Sequence, residues 1–108
     1  MRPVVLLVLG LIGVGAVLAI VLWDRDSSED RGRSFVNANC AECHAVGPND
    51  ESPLSEAPPL RDLHRSYPVE HLAEALAEGI MTGHSGMPQF TLEPDEVDDT
   101  IAYLRSLE

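Results

Sequence analysis

The sequence predicts an all-α domain carried behind one apolar N-terminal helix. Residues 1–23 hold a single charged side chain, Arg2, whereas residues 24–108 hold six arginines and all 18 carboxylates, a net of −12 in a chain of 108 residues. Three stretches of the polar part repeat apolar residues at helical spacing, and none alternates with period two. The chain's two cysteines stand together in Cys40-Ala41-Glu42-Cys43-His44.

The first element is Pro3 to Trp23 (PVVLLVLGLIGVGAVLAIVLW), 21 residues without a charge. As a helix it is roughly 31 Å long, enough to cross a bilayer's hydrocarbon core. A cleaved signal peptide is the competing reading, with Val17-Leu18-Ala19 as its cleavage site. Cleavage there leaves Ile20 to Trp23 as an apolar terminus, and Trp23 stands where an uncleaved anchor places an interfacial aromatic. The anchor is the expectation, with Arg2 on the cytoplasmic side and the acidic remainder exported. Asp24 to Arg31 (DRDSSEDR) has no apolar periodicity and reads as a solvated tether. The expected organisation is therefore 1–23 anchor, 24–31 tether and 32–108 folded domain.

Three helices are expected in that domain. Residues 29–41 lead into the cysteines, with Phe35 and Val36 apolar and Gly32 small enough for close approach of another element. In 69–79 (VEHLAEALAEG), Leu72 and Leu76, continued by Ile80, mark a buried stripe, and Glu70, Glu74 and Glu78 the wet face. In 94–107, Pro94 suits the first helical position, Asp95, Glu96 and Asp98 suit the positive end of the helix, and Val97, Ile101 and Leu104 recur on one face. Between the first two, Gly47 to Arg61 holds Pro48, Pro53, Pro58 and Pro59 and reads as an irregular wrap.

Composition removes one partner class. A polyanion with no lysine cannot track phosphates, because nucleic-acid affinity is mostly counterion release by basic side chains. A polar part of this size also needs a staple beyond its own core.

The C-x-x-C-H run supplies one. Thiols three residues apart near a helix start can reach the two vinyl groups of one porphyrin edge, while the next residue turns its imidazole to the iron; this is the c-type haem attachment signature. A zinc site would need a second ligand pair, and there are no further cysteines. A thioredoxin-like pair expects a βαβ setting that this chain lacks. A structural disulfide is the remaining bland reading.

Opposite His44 the iron has a second axial position, for which Met81, Met87, His64, His71 and His84 are candidates. His71 falls on the solvated side of its helix, His64 lies between Arg61 and Arg65, and Met81 follows the apolar stripe. Met87 lies in Gly83-His84-Ser85-Gly86-Met87-Pro88-Gln89-Phe90, where the glycines permit tight turning and Pro88 stiffens the chain just after the sulfur. It is the expected ligand, with His84 its rival.

With Cys40-Ala41-Glu42-Cys43-His44 near the start, Met87-Pro88-Gln89-Phe90 near the end and Ile101-Ala102-Tyr103-Leu104 in a terminal helix, residues 30–108 resemble a class I cytochrome c, similar to the small bacterial members. The resemblance implies three to four helices around one covalent haem c per chain. It implies haem binding by Cys40, Cys43, His44, Pro58 and Met87, with His44 and Met87 on the metal. It further implies that Gly32 and Tyr103 mark the crossing of the first and last helices. In Ala57-Pro58-Pro59-Leu60 a proline carbonyl would accept a hydrogen bond from the proximal histidine, a role falling on Pro58, with Pro59 as alternative. Two departures stand out. The lysine ring by which mitochondrial members dock is absent, and the aromatic expected four residues before the first cysteine is displaced to Phe35, leaving Val36 there.

The function so implied is single-electron carriage between redox-protein partners by a membrane-anchored cytochrome, single-pass in the bacterial cytoplasmic membrane with its haem domain on the periplasmic side. No enzymatic activity and no small-molecule substrate are expected. The alternative is a haem enzyme or gas sensor with a displaceable sixth ligand.

Overall fold

The computed structural model describes residues 27–79 and 86–108. The apolar segment 3–23 expected as an anchor, residues 24–26 of the expected tether, and Ile80, Met81, Gly83 and His84 lie outside the described residues. Among the described residues there is no strand, and no helix is long and apolar enough to cross a membrane.

Helix α1 spans Ser28–Asn39, α2 Leu72–Glu78 and α3 Pro94–Ser106, with short 3₁₀ segments at Leu60–Arg65 and Val69–His71. Helix α1 starts one residue before the helix expected over 29–41, so residues 28–31, which the sequence also offers as tether, are helical. Ser27 caps the helix by accepting a hydrogen bond from the Asp30 amide at 3.2 Å, and Glu29 and Asp30 sit in its first turn, where the helix dipole favours carboxylates. Charged residues without apolar periodicity thus serve as a helix start rather than as linker. The 3₁₀ turn at Leu60–Arg65 is a second departure, since the sequence pattern ends the wrap without one.

Helices α1 and α3 cross at Gly32. A Cβ there would collide with the Asp99 carbonyl and come within 2.9 Å of the Tyr103 Cβ. Only a residue without a side chain lets the two backbones meet. Fully buried Val36, one turn on, takes the core position, while Phe35 packs half-buried against the same cluster. Val97, Ile101, Tyr103 and Leu104 supply the α3 side of this core and Val46, Leu60, Val69 and Leu92 the remainder. Burying a side chain such as Val36 contributes about 1.5–3 kcal/mol.

Helix α2 is more peripheral than its pattern implies. None of its residues is fully buried, although Leu72, Ala73 and Leu76 pack against the core and His71 before it is exposed. It ends at Gly79, whose φ of 101° lies in the region glycine tolerates best. The chain returning from Met87 is pinned beside it by the Leu92 amide, which donates to the Leu76 carbonyl at 2.9 Å.

Candidate functional site

The end of α1 sets the site. The Cys40 amide still donates to the Val36 carbonyl at 2.8 Å, so the helix delivers Cys40 in register. The Cys40 carbonyl then accepts from the amides of Cys43 at 3.2 Å and His44 at 2.9 Å, closing one tight turn. Side chains three apart in such a turn share a face, which puts both thiols on one side with the imidazole immediately after them. The two cysteines are free and half-buried.

The imidazole is oriented by the proline-rich segment. His44 Nδ1 lies 2.7 Å from the Pro58 carbonyl oxygen. A carbonyl can only accept, so Nδ1 carries the proton and Nε2 keeps its lone pair for a metal. Of the two prolines the sequence offers for this role, Pro58 is the one that faces the ring.

The segment that presents Pro58 is held by hydrogen bonds that no sequence pattern announces. The Leu60 amide donates to the Ala45 carbonyl at 2.9 Å, Ala45 donates to Ser52 Oγ at 2.9 Å, and Leu54 donates to the Cys43 carbonyl at 3.1 Å. Asp50 accepts from the amides of Val46 at 3.1 Å and Gly47 at 2.9 Å, and Tyr103 Oη donates to the Val46 carbonyl at 2.5 Å. Gly47-Pro48-Asn49-Asp50 is turn composition, and an aspartate capping the amides behind it is the signal that could have identified Asp50.

These elements enclose a cavity of about 430 Å³. Its wall includes Cys40, Cys43, His44, Pro58 and Met87, so the five site residues expected from the sequence surround one space. Leu54, Ala57 and Phe90 supply apolar lining, and the exposed carboxylates Glu42 and Glu56 stand at its edge. Half-buried Met87 lies at a bend where the chain starts its return toward Leu92. Gly86 beside it does not have a positive φ, and a Cβ there meets nothing within 4 Å, so the tight turning expected of this glycine is not what its backbone requires. His64 and His71 lie outside the cavity wall. Met81 and His84, the other rivals of Met87, fall outside the described residues.

The chemistry of these groups narrows the cavity's use. Burial pushes the Cys40 thiol above its ordinary value, the opposite of the lowered pKa that activates a redox C-x-x-C pair. Among the described residues no cluster of three or more His, Cys, Asp or Glu is placed to hold a metal ion by itself. What the cavity offers is two thiols on one edge, a pre-oriented imidazole and a thioether, in a space of the size that takes an organic cofactor. That donor set fits a porphyrin held by two thioether links.

Comparison with known proteins agrees. The family model for cytochrome c oxidase, cbb3-type, subunit III matches residues 27–104. The chain belongs to this family of cytochrome c domains. It is similar to cytochrome c6 of Nostoc sp., 35% identical over 78 residues that cover 68% of this chain and 65% of the relative. It is also similar to a cytochrome c-553-like protein of Synechocystis sp., 31% identical over 78 residues that cover 72% of this chain and 68% of the relative. The chain thus spans just under two thirds of the cytochrome c6 it matches. No solved structure matches it. As a class I cytochrome c, its cofactor is covalently bound haem c.

Proposed function

We propose that this cytochrome c carries single electrons between a redox-protein donor and acceptor at the exported, periplasmic face of a bacterial cytoplasmic membrane, anchored there by residues 3–23. The observation that carries the reading is the His44–Pro58 hydrogen bond of 2.7 Å on one side of a cavity that Met87 also lines. With both His44 and Met87 holding the iron, no coordination position would be left for a substrate, which suits electron transfer and not ligand chemistry.

In this reading Cys40 and Cys43 would form the thioethers, and His44 Nε2 and Met87 would hold the iron. Pro58 keeps the ring in one tautomer and orientation and raises its basicity through the shared proton. Phe90, Leu54 and Ala57 would give the macrocycle apolar contact. When bound, the haem supplies a one-electron couple, and a thioether axial ligand raises its potential. The anchor rests on the 21 uncharged residues from Pro3 to Trp23. The net charge of −12 beyond them favours a partner with basic side chains, met faster at low salt.

Intact mass and optical spectra test this reading. The native protein should exceed its sequence mass by one haem and give a low-spin ferrous spectrum unaffected by carbon monoxide. Met87→Ala should open the site to carbon monoxide, while His84→Ala should leave the spectrum unchanged. The reverse pattern identifies a bis-imidazole haem, and carbon monoxide binding by the unaltered protein identifies the sensor or enzyme class. Native protein that salt removes from membranes, or whose N-terminus follows Ala19, has no anchor.

A further inference from the structure

Pro58 cannot hold its own place. Neither it nor Pro59 has an amide proton, so no backbone donor can fix the two residues that present the carbonyl to His44. The tie comes from Leu60 and Arg61. Leu60 N–H reaches the Ala45 carbonyl at 2.9 Å, and Arg61 Nη1 reaches the carbonyls of Asp50 at 2.7 Å and Gly47 at 3.4 Å. Together with His44 and Pro58 these contacts form three successive rungs between residues 44–47 and 58–61. Asp50 fixes the opposite segment, since its two carboxylate oxygens hold the Val46 and Gly47 amides and its Oδ1 lies 3.7 Å from Arg61 Nη1.

We infer that Arg61 and Asp50 are a positioning pair that sets the strength of the His44–Pro58 hydrogen bond and, through the imidazole, the reduction potential of the haem. The inference rests on the reading of His44 as axial ligand. A firmly held acceptor draws the Nδ1 proton outward and makes the ring a stronger donor to iron, which favours the ferric state. Loosening the last rung lengthens that bond and raises the potential. Its signature is separable from simple loosening of the fold. Water admitted to the site favours the more highly charged ferric centre and lowers the potential instead.

The test uses the full-length holoprotein. Arg61→Ala should accelerate solvent exchange of the His44 Nδ1 proton in the ferrous protein, followed by NMR, by about tenfold, the equivalent of about 1.4 kcal/mol of local opening. The potential should rise while the low-spin spectrum stays intact. Arg61→Lys keeps the charge but not the planar reach, so it should move exchange and potential in the same direction. If Arg61→Ala does not accumulate, Arg61→Lys and Asp50→Asn carry the test alone. Arg65→Ala, on the same 3₁₀ segment and paired with Asp62 at 3.4 Å, should change neither quantity. Because Asp50 and Arg61 act as one clamp, the double variant should exchange no faster than the worse single one. Unchanged exchange, or a lowered potential, in the Arg61 and Asp50 variants overturns the inference. Absence of haem-shifted His44 ring resonances in the unaltered protein refutes the ligand assignment itself, a distinct failure.

Discussion

Arg31 and Asp99, 68 residues apart in sequence, meet in a two-pronged ion pair: Nε lies 2.8 Å from Oδ2 and Nη2 lies 2.9 Å from Oδ1. The pair brackets the point where Gly32 admits the Asp99 carbonyl, so α1 and α3 are held by a steric notch and a charge pair at one place. This crossing places α1 in the fold, and the end of α1 is where the turn from Cys40 to His44 begins.

The Arg31 hydrogen bonds hold the Asp99 carboxyl below its usual value of 3.8, against opposing desolvation and with help from Ser28. A carboxyl whose folded pKa is depressed stabilises the fold at pH above the unfolded value and loses that contribution as pH falls through the folded one. Stability should therefore decline on acidification past about pH 4. Glu70, lowered by its own backbone hydrogen bond and by Arg105, acts in the same direction. Asp99→Asn should cost about 1 kcal/mol at neutral pH, since Arg31 is half exposed and the pair partly screened, and should flatten the acid limb. Thermal unfolding of the holoprotein between pH 7 and pH 3, with and without the substitution, checks this.

Gly32→Ala should be among the most damaging single changes. The new methyl meets a backbone carbonyl and a helix-borne Cβ, neither of which can turn aside, so α1 and α3 must separate. A loss of about 2–4 kcal/mol is expected, read from the guanidinium midpoint. A loss under about 0.5 kcal/mol contradicts so close a crossing.

Tyr103→Phe removes one hydroxyl and leaves the Val46 carbonyl without its 2.5 Å partner in the core. Such an orphaned buried acceptor costs about 1–3 kcal/mol. Because Val46 lies two residues beyond His44, amide exchange should quicken at Ala45 to Gly47 while helix α2 keeps its protection. Equal effects throughout the protein would mean that the hydroxyl serves general packing and not this loop.

The double variant Cys40→Ser/Cys43→Ser should lose most of its helical circular dichroism when made without covalent haem. The described core is a single cluster in which only Val36 and Val69 are fully enclosed, small for offsetting chain entropy in a domain of this size. Native-like helicity in that variant shows that the polypeptide core suffices.

The all-α class, the attachment motif and the candidate ligands are legible in the sequence because each is written in local spacing. Thiols three apart, apolar residues at helical intervals and a methionine followed by proline need no distant partner to be recognised. The choice between Pro58 and Pro59 is not legible there, since both are adjacent carbonyls and only the path of the wrap turns one toward His44. Asp50 and Arg61 read as loop charges until the backbone brings residues 44–47 alongside 58–61. Helix α1 is expected from residue 29, but what holds its first turn is not legible: Ser28 to Arg31 lacks an apolar stripe, and its helical state comes from the Ser27 cap and from a partner, Asp99, at the other end of the chain. Local geometry declares itself through repeat and spacing. The hydrogen bonds that orient His44 depend on which carbonyl and which guanidinium the folded chain sets side by side, and tertiary packing alone decides that.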